Sequence, residues 1–425
     1  MPEIDRNLKR HMFASMLSFG VMGISGIVLN ILIGWFWGVA ALGVFNQVFT
    51  LYIFFSQLAT LGVHQAALTF VAGEQDETVM ARIIRDSLGA TLVLASATTL
   101  LFAVTAVPLS GILDSPKVAE GVWWATPGLF FFALNKTLLA VLNGRRKMEV
   151  FFGLQSLRYI ALVATVGSLV PLGDAAVAQL AMAFSVAEIL VFVPCLLLVW
   201  PLMRFNSSDT SVAGTPGWTS KILWFGLRGS FSGILSELNT RVDILILGIF
   251  VSDAGVGLYS FAAVLAEGLY QAVIMVRSVF APRVIDALQN KNAESVSQIS
   301  RQVLRVGYGL VVLGGVLGVT LYSWAVDLLG LADKFGMAWE LLAILIVGIV
   351  VGGGYISLNQ ILLWGKRPGA HSLYICSVIV VNILGNLILI PYYHAMGAAV
   401  ATAIAYAYAA LMVPLTARWL LGVRP

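Results

Sequence analysis

Long apolar runs recur from one end of this 425-residue chain to the other, and no other feature limits its fold so severely. A run of about 20 residues crosses the hydrocarbon core of a bilayer as a helix. Backbone polar groups at that depth have no water to bond, so only helices and closed barrels can span it. Barrel strands alternate polar and apolar residues, whereas these runs are continuous. Composition agrees: 59% of the residues are hydrophobic and 11% charged, where a soluble domain has about a quarter charged. The expected fold is an all-α polytopic membrane protein. Its twelve transmembrane helices are expected near residues 13–35, 44–70, 87–110, 122–143, 150–171, 176–202, 222–249, 256–280, 303–326, 338–363, 372–391 and 397–420.

Basic residues set the expected orientation. With the N-terminus in the cytoplasm, eighteen of the 25 Lys and Arg residues fall in inner segments. Only Lys117 and Lys334 fall in outer loops, and five lie within spans. Positive loops stay inside, so both termini are expected to be cytoplasmic. The first apolar stretch has no clear small-residue cleavage site and is expected to insert uncleaved. Outer segments at 36–43, 171–175, 250–255 and 392–396 are mere turns, too short to fold as a domain. The inner segment 281–302 is expected to form a short amphipathic helix on the membrane surface.

A Ser/Thr/Gly/Pro-rich cytoplasmic linker at 204–221 divides an N-terminal six-helix lobe (1–203) from a C-terminal six-helix lobe (222–425). The halves echo one another. Offset by 214, residues 32–49 lie over 246–263 without a gap, matching Gly34 to Gly248, Gly43 to Gly257 and Phe45 to Tyr259. Later, NGRRK at 143–147 echoes WGKRP at 364–368, and VPLGDAAVA at 170–178 echoes IPYYHAMGAAVA at 390–401. Two units with an even number of spans enter the membrane in the same sense. That implies a pseudo-two-fold axis along the membrane normal with a route between the lobes.

Charge breaks the symmetry. Spans 1 and 2 hold only neutral polar groups such as Asn30, Gln57 and His64, whereas span 7 carries Arg228, Glu237, Arg241 and Asp243, and span 8 carries Glu267 and Arg277. Intramembrane charge is costly and marks a functional site by default. At 100° per residue, Ser260, Tyr270, Gln271 and Arg277 share one face with Glu267, as a cavity-lining helix requires. Glu237 and Arg241, four apart, are spaced for an ion pair within one helix. Glu237 and Glu267 sit near mid-span and are the expected ion-coupling carboxylates. Lys136, Arg158, Arg228 and Arg277 fall in the cytoplasmic half of their spans, where guanidinium and ammonium groups would attract a phosphate. Gly352, Gly353 and Gly354 mark a loosened span 10, and Pro127, Pro194 and Pro414 mark kinks.

Four scattered histidines and two distant cysteines offer no spacing for a metal site, and no cofactor is expected. The outer loops hold few groups able to act as acid or base, which disfavours an enzyme.

The segment NTRVDILILGIFVSDAGVGLYSFA, beginning at Asn239, resembles the polysaccharide (O-antigen type) flippases of the multidrug/oligosaccharidyl-lipid/polysaccharide exporter superfamily. The ending NLILIPYYHAMGAAVATAIAYA is similar to that family's last loop and span. The resemblance implies a protein of the bacterial inner membrane that moves undecaprenyl-pyrophosphate-linked oligosaccharides from the cytoplasmic to the periplasmic leaflet. It further implies coupling to a proton or sodium gradient. The implied partners are the lipid-linked oligosaccharide, membrane lipids, and a polysaccharide polymerase with its chain-length machinery; nucleic acid is not among them. By position the motif reaches Asn239, Arg241 and Asp243, and a cavity role extends to Arg228 and Glu267 by inference. Some members also carry charges in the first two spans, and this chain does not. The alternatives are a drug or organic-cation antiporter of the same superfamily, for which Glu188 in span 6 is the feature to weigh, and a membrane polymerase or glycosyltransferase.

Overall fold

The computed structural model describes residues 2–204, 217–290 and 292–424. Among the described residues, fourteen α-helices run in chain order: α1 (Pro2–Phe36), α2 (Gly38–Thr60), α3 (Val63–Gly73), α4 (Glu77–Ile112), α5 (Pro116–Gly144), α6 (Met148–Ser168), α7 (Met182–Met203), α8 (Trp218–Phe250), α9 (Asp253–Gln289), α10 (Ala293–Leu328), α11 (Ala332–Phe335), α12 (Ala338–Ile356), α13 (Ile361–Trp364) and α14 (Pro368–Leu421). Two 3-10 turns, Val170–Ala176 and Ala178–Ala181, lead into α7. Among the described residues there is no strand. Helix occurs in every one of the twelve expected spans, so the protein is all-α and polytopic. The expected linker at 204–221 falls largely outside the described residues, and α8 begins at Trp218.

The chain divides into two compact units. The first comprises Met1–Trp37 and Gln47–Glu237, the second Gly38–Asn46 and Leu238–Pro425. In the first, α5 is the central helix, packed by α4, α7 and α3, while α1 lies along α6. In the second, α12 is central, packed by α14, α10 and α9. Small residues let these central helices approach their neighbours. A Cβ at Gly128 of α5 would meet the Phe184 and Ser185 backbone, and one at Gly348 of α12 would meet Ala403. Close backbone approach of this kind drives helix association where water supplies no hydrophobic force.

Several spans are broken, each for a local reason. Span 2 divides where Leu61 and Gly62 take left-handed conformations (φ 37° and 73°), separating α2 from α3. Span 10 breaks at Gly353 (φ 35°, ψ −128°), where the glycine faces the Tyr308 ring, and continues as α13. In α5, Pro127 loosens the hydrogen-bond ladder and Ser185 enters it: its Oγ donates to Trp124 O (2.6 Å) and accepts from Gly128 N (2.9 Å). An inserted side chain is a recognised cause of a helix bend. The outer turns expected at 171–175 and 392–396 share one backbone conformation, at Gly173 (φ 56°, ψ −143°) and His394 (φ 52°, ψ −131°). The turns at 143–147 and 364–368 likewise share a left-handed basic residue, Arg146 (φ 58°) and Lys366 (φ 59°).

One expected element is absent. Among the described residues, 281–302 form no separate surface helix: α9 continues to Gln289, and α10 starts at Ala293. Asn292 caps α10, its Oδ1 accepting from Ser295 N at 2.9 Å. Pro282 lies inside α9, whose helix continues past it.

Candidate functional site

In the second unit, Arg241 and Asp243 of α8 and Glu267 and Arg277 of α9 are the ionisable residues expected on spans 7 and 8. Arg241 Nη2 stands 3.8 Å from Glu267 Oε2, and their side chains are 18% and 42% exposed. This is a loose, accessible pair. One helical turn further along α9, Tyr270 stacks on Tyr406 of α14 with ring centroids 5.7 Å apart. Toward the C-terminal end of α9, Arg277 Nη1 donates to Asn359 Oδ1 at 3.1 Å.

Behind the open pair lies a closed cluster. Asp243 is buried and accepts from the Tyr259 hydroxyl, from the Ile244 amide (2.9 Å) and from the Thr402 hydroxyl (3.4 Å). Asn239 offers its backbone carbonyl to Asn382 Nδ2 at 3.4 Å, and Asn386 Nδ2 donates to Asn382 at 2.8 Å. A carboxylate surrounded by hydroxyl and amide groups satisfies the rule that buried charge be hydrogen-bonded. Such a site can also give up one of those donors to take a proton or a small cation.

The first unit treats charge differently. Arg158 of α6 is buried and meets Glu188 of α7 twice, Nε to Oε1 at 2.6 Å and Nη2 to Oε2 at 3.1 Å. Asn135 of α5 completes the cage by donating to Glu188 Oε2 and to the Glu188 carbonyl, each at 2.8 Å. The guanidinium also lies over the Phe132 ring, 5.0 Å from its centroid. Lys136 sits beside this cage, its ammonium 5.7 Å from the same centroid and donating to Gln57 Oε1 at 2.9 Å. Glu237 and Arg158 are both within electrostatic reach of it.

The expected site residues therefore fall into two groups. Lys136, Arg158, Arg228 and Glu237 belong to the first unit, and Asn239, Arg241, Asp243, Glu267 and Arg277 to the second. Arg228 is exposed and stacks on Trp224 at 4.3 Å. Arg158, expected as a phosphate-attracting cation, spends its fork on Glu188. Sequence reasoning missed three partners: Asn135, Tyr259 and Thr402. Tyr259 lies within the GVGLYS segment, which was the available signal; Thr402 has none, since it lies 159 residues from Asp243. Among the described residues, no group of three or more His, Cys, Asp or Glu side chains is placed to hold a metal.

Solved structures share this architecture. The chain is 14% identical to a multidrug resistance MATE family transporter of the MOP superfamily in an inward-facing conformation, with 94% of each chain covered and a TM-score of 0.75. It is also 14% identical to the lipid II flippase MurJ in an inward closed conformation, covering 96% of this chain and 87% of that one, with a TM-score of 0.75. A MOP superfamily transporter from Pyrococcus furiosus matches at 14% identity over 96% and 94% of the two chains, with a TM-score of 0.58. At such identities the likeness defines the fold: a polytopic helical architecture shared with MOP superfamily transporters. The chain itself belongs to the polysaccharide biosynthesis protein family, whose model matches residues 8–286. That match includes the segment from Asn239 through Tyr259. No curated protein sequence matches the chain.

Proposed function

We propose that the protein is a flippase. It would carry undecaprenyl-pyrophosphate-linked oligosaccharides from the cytoplasmic to the periplasmic leaflet for surface polysaccharide synthesis, by alternating access driven by a proton or sodium gradient. The observation that carries this reading is the open Arg241–Glu267 pair, at 3.8 Å with Glu267 42% exposed, in a chain of the polysaccharide biosynthesis family. A guanidinium paired with so exposed a carboxylate can exchange it for a substrate phosphate. Glu267, once released, can take up the coupling ion, with Glu237 as a second carrier. Arg277 supplies a further cation in the second unit and Lys136 one in the first, and Asn239 and Asp243 lie on the same part of α8 as Arg241. In this reading the protein is a multi-pass protein of the bacterial inner membrane with both termini cytoplasmic, and it works ahead of a polysaccharide polymerase and its chain-length machinery. It performs no covalent chemistry.

The organic-cation antiporter reading would need a free carboxylate in the first unit. Glu188, its best candidate, is already neutralised by Arg158 and capped by Asn135. That favours an anionic substrate.

Deleting the gene tests the proposal. The expected result is loss of surface polysaccharide with lipid-linked glycan retained on the inner leaflet, both restored by the wild-type gene. Normal surface polysaccharide in a deletion strain without a paralogue would overturn it.

A further inference from the structure

The repeat seen in the sequence has a physical counterpart at the start of α2. Residues 39 and 43 are the repeat equivalents of 253 and 257. A Cβ built at Gly43 would strike the Asp253 carbonyl oxygen, and one built at Gly257 would strike the Val39 carbonyl oxygen. Each also lies 3.0 Å from the other glycine's amide nitrogen. Helices α2 and α9 thus cross backbone to backbone through a reciprocal contact of equivalent residues, as a local two-fold requires. Packing assigns Gly38–Asn46 to the second unit, while the rest of α2 belongs to the first.

The other end of α2 has a second such contact. Where α2 breaks before α3, a Cβ at Gly226 of α8 would lie 2.7 Å from Leu61 O and 2.9 Å from the Gly62 carbonyl carbon, while one at Gly62 would strike the Gly226 carbonyl. In the proposed orientation the first crossing lies at the outer end of α2 and the second at its inner end. Leu42 and Val63, beside the two crossings, are each fully buried.

We infer that α2 is clamped at both ends by glycine crossings that act as gates: Gly43–Gly257 seals the outer end, Gly62–Gly226 seals the inner end, and transport parts them in turn. The glycines suit this role because backbone contact without side chains is tight when closed and has no interlocking groups to disentangle when it opens. A single added methyl cannot fit the closed contact, so it must bias that gate alone toward opening. The inference rests on the transport reading and its orientation only for the terms outer and inner; the gates are measured without substrate.

The test is thiol labelling in a background with Cys195 and Cys376 replaced by serine, checked for normal surface polysaccharide. Leu42→Cys reports the outer gate and Val63→Cys the inner one, probed with an impermeant maleimide in right-side-out and inverted vesicles. Gly257→Ala should raise labelling of the outer reporter by about tenfold and leave the inner reporter unchanged. Gly226→Ala should do the converse. Gly43→Ala strikes the same contact as Gly257→Ala from the other helix and must reproduce its pattern, which covers the case where one variant fails to accumulate. Equal labelling changes at both reporters, or none at either, would overturn the gates. Loss of polysaccharide transport in the deletion strain is a separate readout and would stand or fall independently.

Discussion

Two ion pairs, one in each unit, show how the same chemistry serves opposite ends. Arg158–Glu188 is bidentate, starts at 2.6 Å, and leaves its side chains 10% and 4% exposed. Arg241–Glu267 stands at 3.8 Å with 18% and 42% exposure. The first pair is additionally held by Asn135 and lies over Phe132. A buried pair is strongly destabilised when one partner is removed, because the other charge is left uncompensated. A partly exposed pair is worth little to stability and can part at little cost. The pair in the first unit is closed into the fold, and the pair in the second is partly open to its surroundings.

The largest effect should come from breaking the locked pair. Glu188→Ala leaves Arg158 buried without a carboxylate, and should cost about 3–5 kcal/mol of stability. Thermal unfolding of the purified protein in detergent would show it, and an unchanged midpoint would remove the distinction between the pairs. Asp243→Ala should follow in size, since it strands the Tyr259 and Thr402 hydroxyls at about 1–3 kcal/mol. It should also abolish polysaccharide export in a complementation assay.

Glu267→Gln is the converse case. Its effect on the unfolding midpoint should be small, within about 1 kcal/mol, yet export should fall sharply at normal protein levels. Unimpaired export would end the coupling role of Glu267. The smallest effect is expected at an exposed cap remote from both pairs. Asp76 accepts from the amides of Thr78 (2.8 Å) and Val79 (3.3 Å) at the start of α4. Those donors hold its carboxyl below the usual carboxylate range. A depressed native value means that its contribution is complete above the unfolded carboxyl's range and is lost as pH falls through the native one. Asp76→Ala should therefore lower the midpoint slightly at neutral pH and not at all in strong acid.

Much of this was legible beforehand because a bilayer is a simple solvent. Twenty apolar residues must be helical there, so all twelve spans could be placed. Charge at depth is rare, so Glu267, Arg241 and Asp243 announced themselves. Breaks were harder. Gly353 stood out within a run of three glycines, whereas Leu61–Gly62 lay inside a span that seemed continuous. The surface helix expected at 281–302 failed because its amphipathic pattern equally suits the end of one long helix, α9, and the start of another, α10. Pairing was not legible at all. Arg158 and Glu188 look alike in kind to Arg241 and Glu267, and only their neighbours separate them.

The sequence by itself determined that this is a polytopic helical membrane protein, where its helices run, and which residues carry charge into the bilayer. Those conclusions follow from local length, hydropathy and periodicity. Which charges are buried in the fold and which stay partly exposed was decided by tertiary structure. The difference lies in contacts made across distant helices, such as Asn135 with Glu188, Thr402 with Asp243, and Arg241 with Glu267. The free energy of a buried charge depends on those partners and on solvent access, and neither is written in the spacing of residues along the chain.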